Sequence, residues 1–215
     1  AIKKDENEIL VGDLGVKDGE LEMPGVKVKF AAKDFKGLIT QKGSKLTMKG
    51  FKLGEISLKQ LNIVDGTRKI HSDGPAALIG ATVDAEVNLA SPVQVKIVKL
   101  HIDKITGDHL VYEDGDFVLS LDKPATGHAL ELVNIDVTDL TWVQKQGIKS
   151  GKIDVNNAAA KLTASLGTDL SAGATLAGGV IHLEFLKDGK ILASIDELTD
   201  LSTDVTGKDA AGKPY

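Results

Sequence analysis

The chain has no cysteine. Disulfide staples, thiolate metal sites and a cysteine nucleophile are therefore excluded, and stability rests on packing and hydrogen bonding. Aromatic residues make up only 4% of the chain, with one tryptophan and two tyrosines. A core must be built from Val, Ile, Leu and Ala, and a sugar cleft would find few aromatic platforms. No run of 18 apolar residues occurs, so no transmembrane helix is expected. Excess positive charge is missing too: the net charge is -5, and lysines are spread singly along the strand segments. That distribution argues against a nucleic-acid surface.

Signatures of common chemistry are also absent. Residues 147–152 read G-I-K-S-G-K, which lacks the spacing of a phosphate-cradling loop. No G-x-S-x-G nucleophile elbow occurs. The histidines, His71, His101, His109, His128 and His182, form no H-x-H or H-x-x-x-H pair, and His101 and His182 fall on the polar phase of apolar segments. Glu113, Asp114 and Asp116 around Gly115 offer hard oxygen donors to calcium, but D-x-D-x-D-G spacing is absent and a solvated acidic turn is the simpler reading. No catalytic, cofactor-binding or metal-binding residue is assigned, and no cofactor is expected.

What is present is β pattern. Of 215 residues, 42% are hydrophobic and 27% charged, ordinary values for a folded domain. Asp114-Gly115 and Asp188-Gly189 sit between alternating segments and read as hairpin turns. Two long runs, V-Q-V-K-I-V-K-L-H-I-D-K-I from Val93 and L-E-L-V-N-I-D-V-T-D-L-T-W from Leu130, alternate and then change phase. Such a change demands a bulge, a bend or cover on both sides. Because both phases of their strands are apolar, Val98, Leu100, Val133 and Ile135 are expected to be buried. Residues 68–75 read as a loop, residues 76–90 as a strand, and residues 157–166 as either helix or strand.

The expected fold is all-β and mostly antiparallel, a sandwich or a set of flattened barrel-like layers, with a β-solenoid as the alternative. Residues 9–202 form one domain, flanked by a mobile arm at 1–8 and a flexible tail at 203–215. The paired apolar rhythm of K-L-G-E-I-S-L-K-Q-L-N-I resembles that of the long β-proteins that carry lipid in bacterial envelopes. It is a likeness of rhythm without a diagnostic residue.

Function is expected to be non-enzymatic. The first expectation is a structural or interaction protein that self-associates or binds another protein through a strand edge. The alternative is a carrier of an apolar ligand or lipid in a β-sheet groove. A chain that opens on Ala1 fits a product freed of its signal peptide or one simply shortened. Small residues, few aromatics and no cysteine point to an extracytoplasmic setting, whether secreted, periplasmic or at the cell surface.

Overall fold

The structure is a computed structural model and describes residues 6–23, 25–72, 74–121, 127–167 and 170–207. These residues form twelve strands and no helix. The strands are β1 (Glu6–Met23), β2 (Val26–Lys42), β3 (Lys45–Asp65), β4 (Arg68–Ser72), β5 (Ala76–Asn88), β6 (Gln94–Gly107), β7 (Leu110–Asp114), β8 (Phe117–Leu121), β9 (Leu130–Val143), β10 (Gly147–Leu166), β11 (Leu170–Phe185) and β12 (Ile191–Gly207). Every pairing between them is antiparallel, so the all-β antiparallel expectation holds and a parallel solenoid is not formed.

Neighbour relations close into an eight-strand ring, β3-β4-β7-β8-β10-β9-β6-β5, with β2 and β1 added outward from β3, and β11 and β12 from β10. The shape of this ring follows from the registers. A strand has two hydrogen-bonding edges. Along β3, one edge is taken by β2 from Lys45 to Ile63. The other must therefore hold β5 opposite Lys45–Leu58 and β4 opposite Leu61–Asp65, end to end. Likewise β11 takes one edge of β10, while β9 and β8 share the other. The ring is thus flattened into a barrel-like layer in which β4 continues into β5, β6 into β7 and β8 into β9. Counted across the chain direction, the sheet is a meander of nine rows.

Surface area agrees with an open layer. The chain exposes 13594 Å², whereas a compact protein of 22.7 kDa exposes about 9,500 Å². The flattened layer, rather than a sandwich of two facing sheets, is the form that the β architecture takes.

Aligned bulges explain the phase changes. In β9 the inward apolar residues are Leu130, Leu132, Ile135, Val137, Leu140 and Trp142. In β6 they are Val95, Ile97, Leu100, Ile102 and Ile105, and in β3 Leu46, Met48, Phe51, Leu53, Ile56 and Leu58. The registers bring these residues opposite one another through β5. Spacing alternates between two and three, so each step of three inserts one extra residue and keeps the apolar residues on one face. The extra residues line up across the sheet. Gly80 (φ 60) lies opposite Asp103, and Asp103 opposite Asn134 (φ 52), so left-handed residues fall on one line. Gly, Asn and Asp are the residues that enter this region at least cost.

Several expectations are corrected here. Val98 is 41% exposed because it is an extra residue at a bulge, while Leu100 and Val133 are half-buried and Ile135 is buried. Residues 68–72, read as loop, form β4, because β3 and β7 supply pairing on both its sides. Residues 157–166, open to either helix or strand from the sequence, belong to strand β10. The arm and the tail begin further out than expected. Residues 6–8 pair with Thr40–Lys42, and residues 203–207 pair with Leu170–Ala174. Main-chain pairing along a long neighbour orders segments whose own apolar content is small. The remainder of both, residues 1–5 and 208–215, lies outside the described residues.

The bulge line carries a prediction. A Cβ at Gly80 would collide with the Asp103 carboxylate in a backbone conformation that β-branched residues avoid. Gly80→Val should cost roughly 2–3 kcal/mol and lower Tm by roughly 5–10 °C. Gly43 (φ 58) faces open space, so Gly43→Ala should carry only the backbone cost of about 1–2 kcal/mol, the smaller loss. Equal melting temperatures for the two variants would contradict the bulge alignment.

Candidate functional site

One face of the layer is apolar from flank to flank. The register joins Leu53, Ala81, Ile102, Ile135, Val155, Ile181 and Ile195 in a single transverse row across seven strands. A parallel row holds Phe30, Leu58, Ala76, Gly107, Leu130, Ala160, Leu176 and Leu201. A third, near the far end of the strands, holds Val26, Ile63, Ile70, Tyr112, Leu119, Ala164, Ala172 and Val205. Exposure along the first row climbs from 4% at Ile135 and 6% at Ile102 to 58% at Ile195. Such low exposure in a one-layer sheet requires the flanking rows to lean over the centre. The layer therefore curls toward its apolar face, with Val137, Ala158 and their half-buried neighbours packed in the middle.

The opposite face is polar, as alternation dictates. It carries cross-strand ion pairs, among them Lys104–Glu131 at 2.8 Å, Lys45–Glu86 at 3.0 Å and Lys33–Glu55 at 2.6 Å. His101 Nδ1 lies 2.9 Å from Asp136, and His182 Nδ1 lies 2.7 Å from Asp154. Asp136 and Asp154 are directly opposite across β9 and β10, so the two imidazoles flank a pair of like charges. Depressions on this face, such as the one lined by Lys152, Asp154, His182 and Glu184, gather side chains that are already paired with one another.

Hydrogen bonds from the Lys33 ammonium, and then from the Ser57 hydroxyl at 2.6 Å, hold the Glu55 carboxyl below its ordinary range. A lowered carboxyl pKa contributes stability above its unfolded value and loses it as pH falls through the folded one. The stability gap between the parent and Glu55→Gln should therefore be small near neutral pH and close as pH falls below the ordinary glutamate range. Urea melts across that range would register it. A gap that widens as pH falls would reverse the assignment.

A buried polar seam crosses the sheet where β4 meets β5, β6 meets β7 and β8 meets β9. Asp108 is 1% exposed, and its carboxylate accepts a hydrogen bond from the Ala129 N–H at 2.9 Å. His128 Nδ1 lies 3.4 Å from the other carboxylate oxygen. The Asp108 N–H donates to the Pro75 carbonyl at 3.1 Å, and the Lys161 N–H to the Ala129 carbonyl at 2.8 Å. The Ser72 hydroxyl faces the Gly74 and Asp108 carbonyls at 3.2 and 3.3 Å. Each bond replaces a ladder bond lost where the strands break. No sequence motif signals this role for Asp108, because Ala129 is distant in the chain.

The acidic turn lies at the tip of the β7–β8 hairpin. Glu113 faces Lys69 at 3.5 Å and His71 at 3.4 Å, and Asp114 faces Arg68 at 3.4 Å and the Thr67 hydroxyl at 3.0 Å. Hydrogen bonding to His71, with the Lys69 charge, holds the Glu113 carboxyl below its ordinary range. These carboxylates are spent on β4 and its preceding turn rather than converging on one point. Among the described residues no group of three or more His, Cys, Asp or Glu side chains is placed to hold a metal ion. No helix among them is long and apolar enough to cross a membrane. No known family model, curated protein or solved structure matches the chain.

Proposed function

We propose that the chain is a non-enzymatic carrier whose apolar face holds a long hydrocarbon ligand, such as the acyl chains of a lipid. The observation that carries this reading is the continuous, mostly aliphatic face of a one-layer sheet, more exposed toward its outer strands and backed by a charged face. Its lining is Val, Ile, Leu and Ala with few aromatics, and the chain has one tryptophan. Protein-binding surfaces concentrate Trp, Tyr, Met and Arg. A featureless hydrocarbon needs only apolar area. The extracytoplasmic setting drawn from composition belongs to the same proposal.

Titration of purified, delipidated protein with a fluorescent C16 fatty acid tests it. Saturable binding is expected, with phospholipid recovered in organic extracts of protein taken directly from cells. Ile195→Lys with Leu201→Lys should weaken binding about tenfold. Both side chains are exposed on β12, so the double variant should melt close to the parent. No saturable binding, together with lipid-free protein from cells, would overturn the proposal.

A further inference from the structure

We infer that the free edge of β12 is a docking edge for a lysine- or arginine-bearing β-strand of another protein. Among the described residues β12 pairs only with β11, so the opposite edge of a 17-residue strand presents unpaired main-chain donors and acceptors. Every residue from Ile191 to Thr206 is exposed. Natural edges of this length are usually blunted, because they otherwise recruit another strand. β1 at the other flank is blunted, with three register breaks between Val11 and Gly19. β12 has one irregular stretch, between Asp196 and Leu201, where Glu197 is left-handed (φ 53), and it pairs in regular register from Ile191 to Asp196 and from Leu201 to Gly207.

Charge selects the occupant. Strand β12 carries Asp196, Glu197, Asp200 and Asp204 and no lysine or arginine. Asp196 meets His182 at 3.5 Å. Among the described residues Glu197, Asp200 and Asp204 have no cation within ion-pair distance. Elsewhere the sheet matches an acidic strand with a basic neighbour. β1 carries Glu8, Asp18, Glu20 and Glu22, and it lies against β2 with Lys27, Lys29, Lys33 and Lys36. Lys27 reaches both Glu20, at 3.2 Å, and Glu22, at 3.6 Å. β11, by contrast, offers β12 one histidine and no lysine.

The same charges speak against a second copy of this chain. Both outer strands are acidic, so copies joined edge to edge would set like charges opposite one another, which is destabilising. The fitting strand instead alternates a basic residue with an aliphatic one. Its cations meet Asp200 and Asp204 on the polar face. Its aliphatic side chains extend the rows that end at Ile195, Leu201 and Val205.

The test uses the whole chain and a labelled, acetylated 11-residue peptide alternating lysine with valine and threonine, followed by fluorescence anisotropy. The control peptides have glutamate for every lysine, or N-methyl groups on alternate amides. The lysine peptide should bind at least tenfold tighter than the glutamate peptide at low salt, and N-methylation should abolish binding. In E197K/D200K/D204K the preference should reverse, and in E197Q/D200N/D204N it should vanish, with circular dichroism confirming both folds. Equal binding of the lysine and glutamate peptides would overturn the proposal. So would undiminished binding of the N-methylated peptide, which would show attraction without strand pairing. Concentration-dependent dimers cross-linked through β12 would make a second copy the occupant and overturn it as well. Fatty-acid binding is read separately, so failure here leaves the proposed carrier function standing.

Discussion

Replacing Ile135 with aspartate should leave no cooperative unfolding transition at room temperature. Ile135 is 4% exposed and sits between Ile102 and Val155 in the most deeply packed transverse row. A carboxylate there would stand among the aliphatic side chains of Ala81, Ile102, Val137, Val155 and Ala158. An unpaired buried charge costs several kcal/mol, and the lost isoleucine packing adds about 2–5 kcal/mol. Their sum is comparable with the whole stability of a typical domain, about 5–15 kcal/mol. Val98→Asp is the matched control: Val98 lies four residues before Ile102 on the same strand and is exposed, so it should cost less than about 1 kcal/mol. Urea denaturation of both variants decides the matter. Similar losses at positions 98 and 135 would show that the apolar residues do not share one face.

That contrast also marks where sequence reading succeeded and where it stopped. Alternation in Val95–Ile97 and in Ile135–Val137 made strands legible, and the Asp-Gly turns made antiparallel pairing legible. The change of phase was visible as well. Its meaning was not, because cover on both faces and a bulge produce the same pattern along one strand. Only the neighbouring strands distinguish the two: Leu53, Ala81 and Ile102 share one spacing with Ile135, and a single sequence does not reveal that they are opposite. β4 was missed because R-K-I-H-S carries one apolar residue, and its order comes from the strands on either side. The candidate apolar face was half legible. Its composition could be read, but that it belongs to an open layer could not.

The second large effect is expected at the seam. Asp108→Ala should cost about 2–4 kcal/mol, since it strips the buried Ala129 N–H of its acceptor and leaves a void. Asp108→Asn keeps an oxygen that can accept from Ala129 but removes the charge facing His128, so it should cost about half as much. Hydrogen exchange adds a local readout: in Asp108→Ala, the amides of Ala129 and Lys161 should lose protection before those of Ile102 or Ile135. If all of these amides exchanged together, the seam would be no weaker than the rest of the sheet.

Because each row of the meander pairs only with the rows just before and after it in the chain, contacts of long sequence separation are not needed to begin folding. Hairpins close locally, and each finished one becomes the template for the next, in the manner of a zipper. A sheet assembled this way has no fixed width. Duplicating one hairpin would widen the hydrocarbon-facing side by two strand spacings, about 9–10 Å, without changing the registers of the rows already in place.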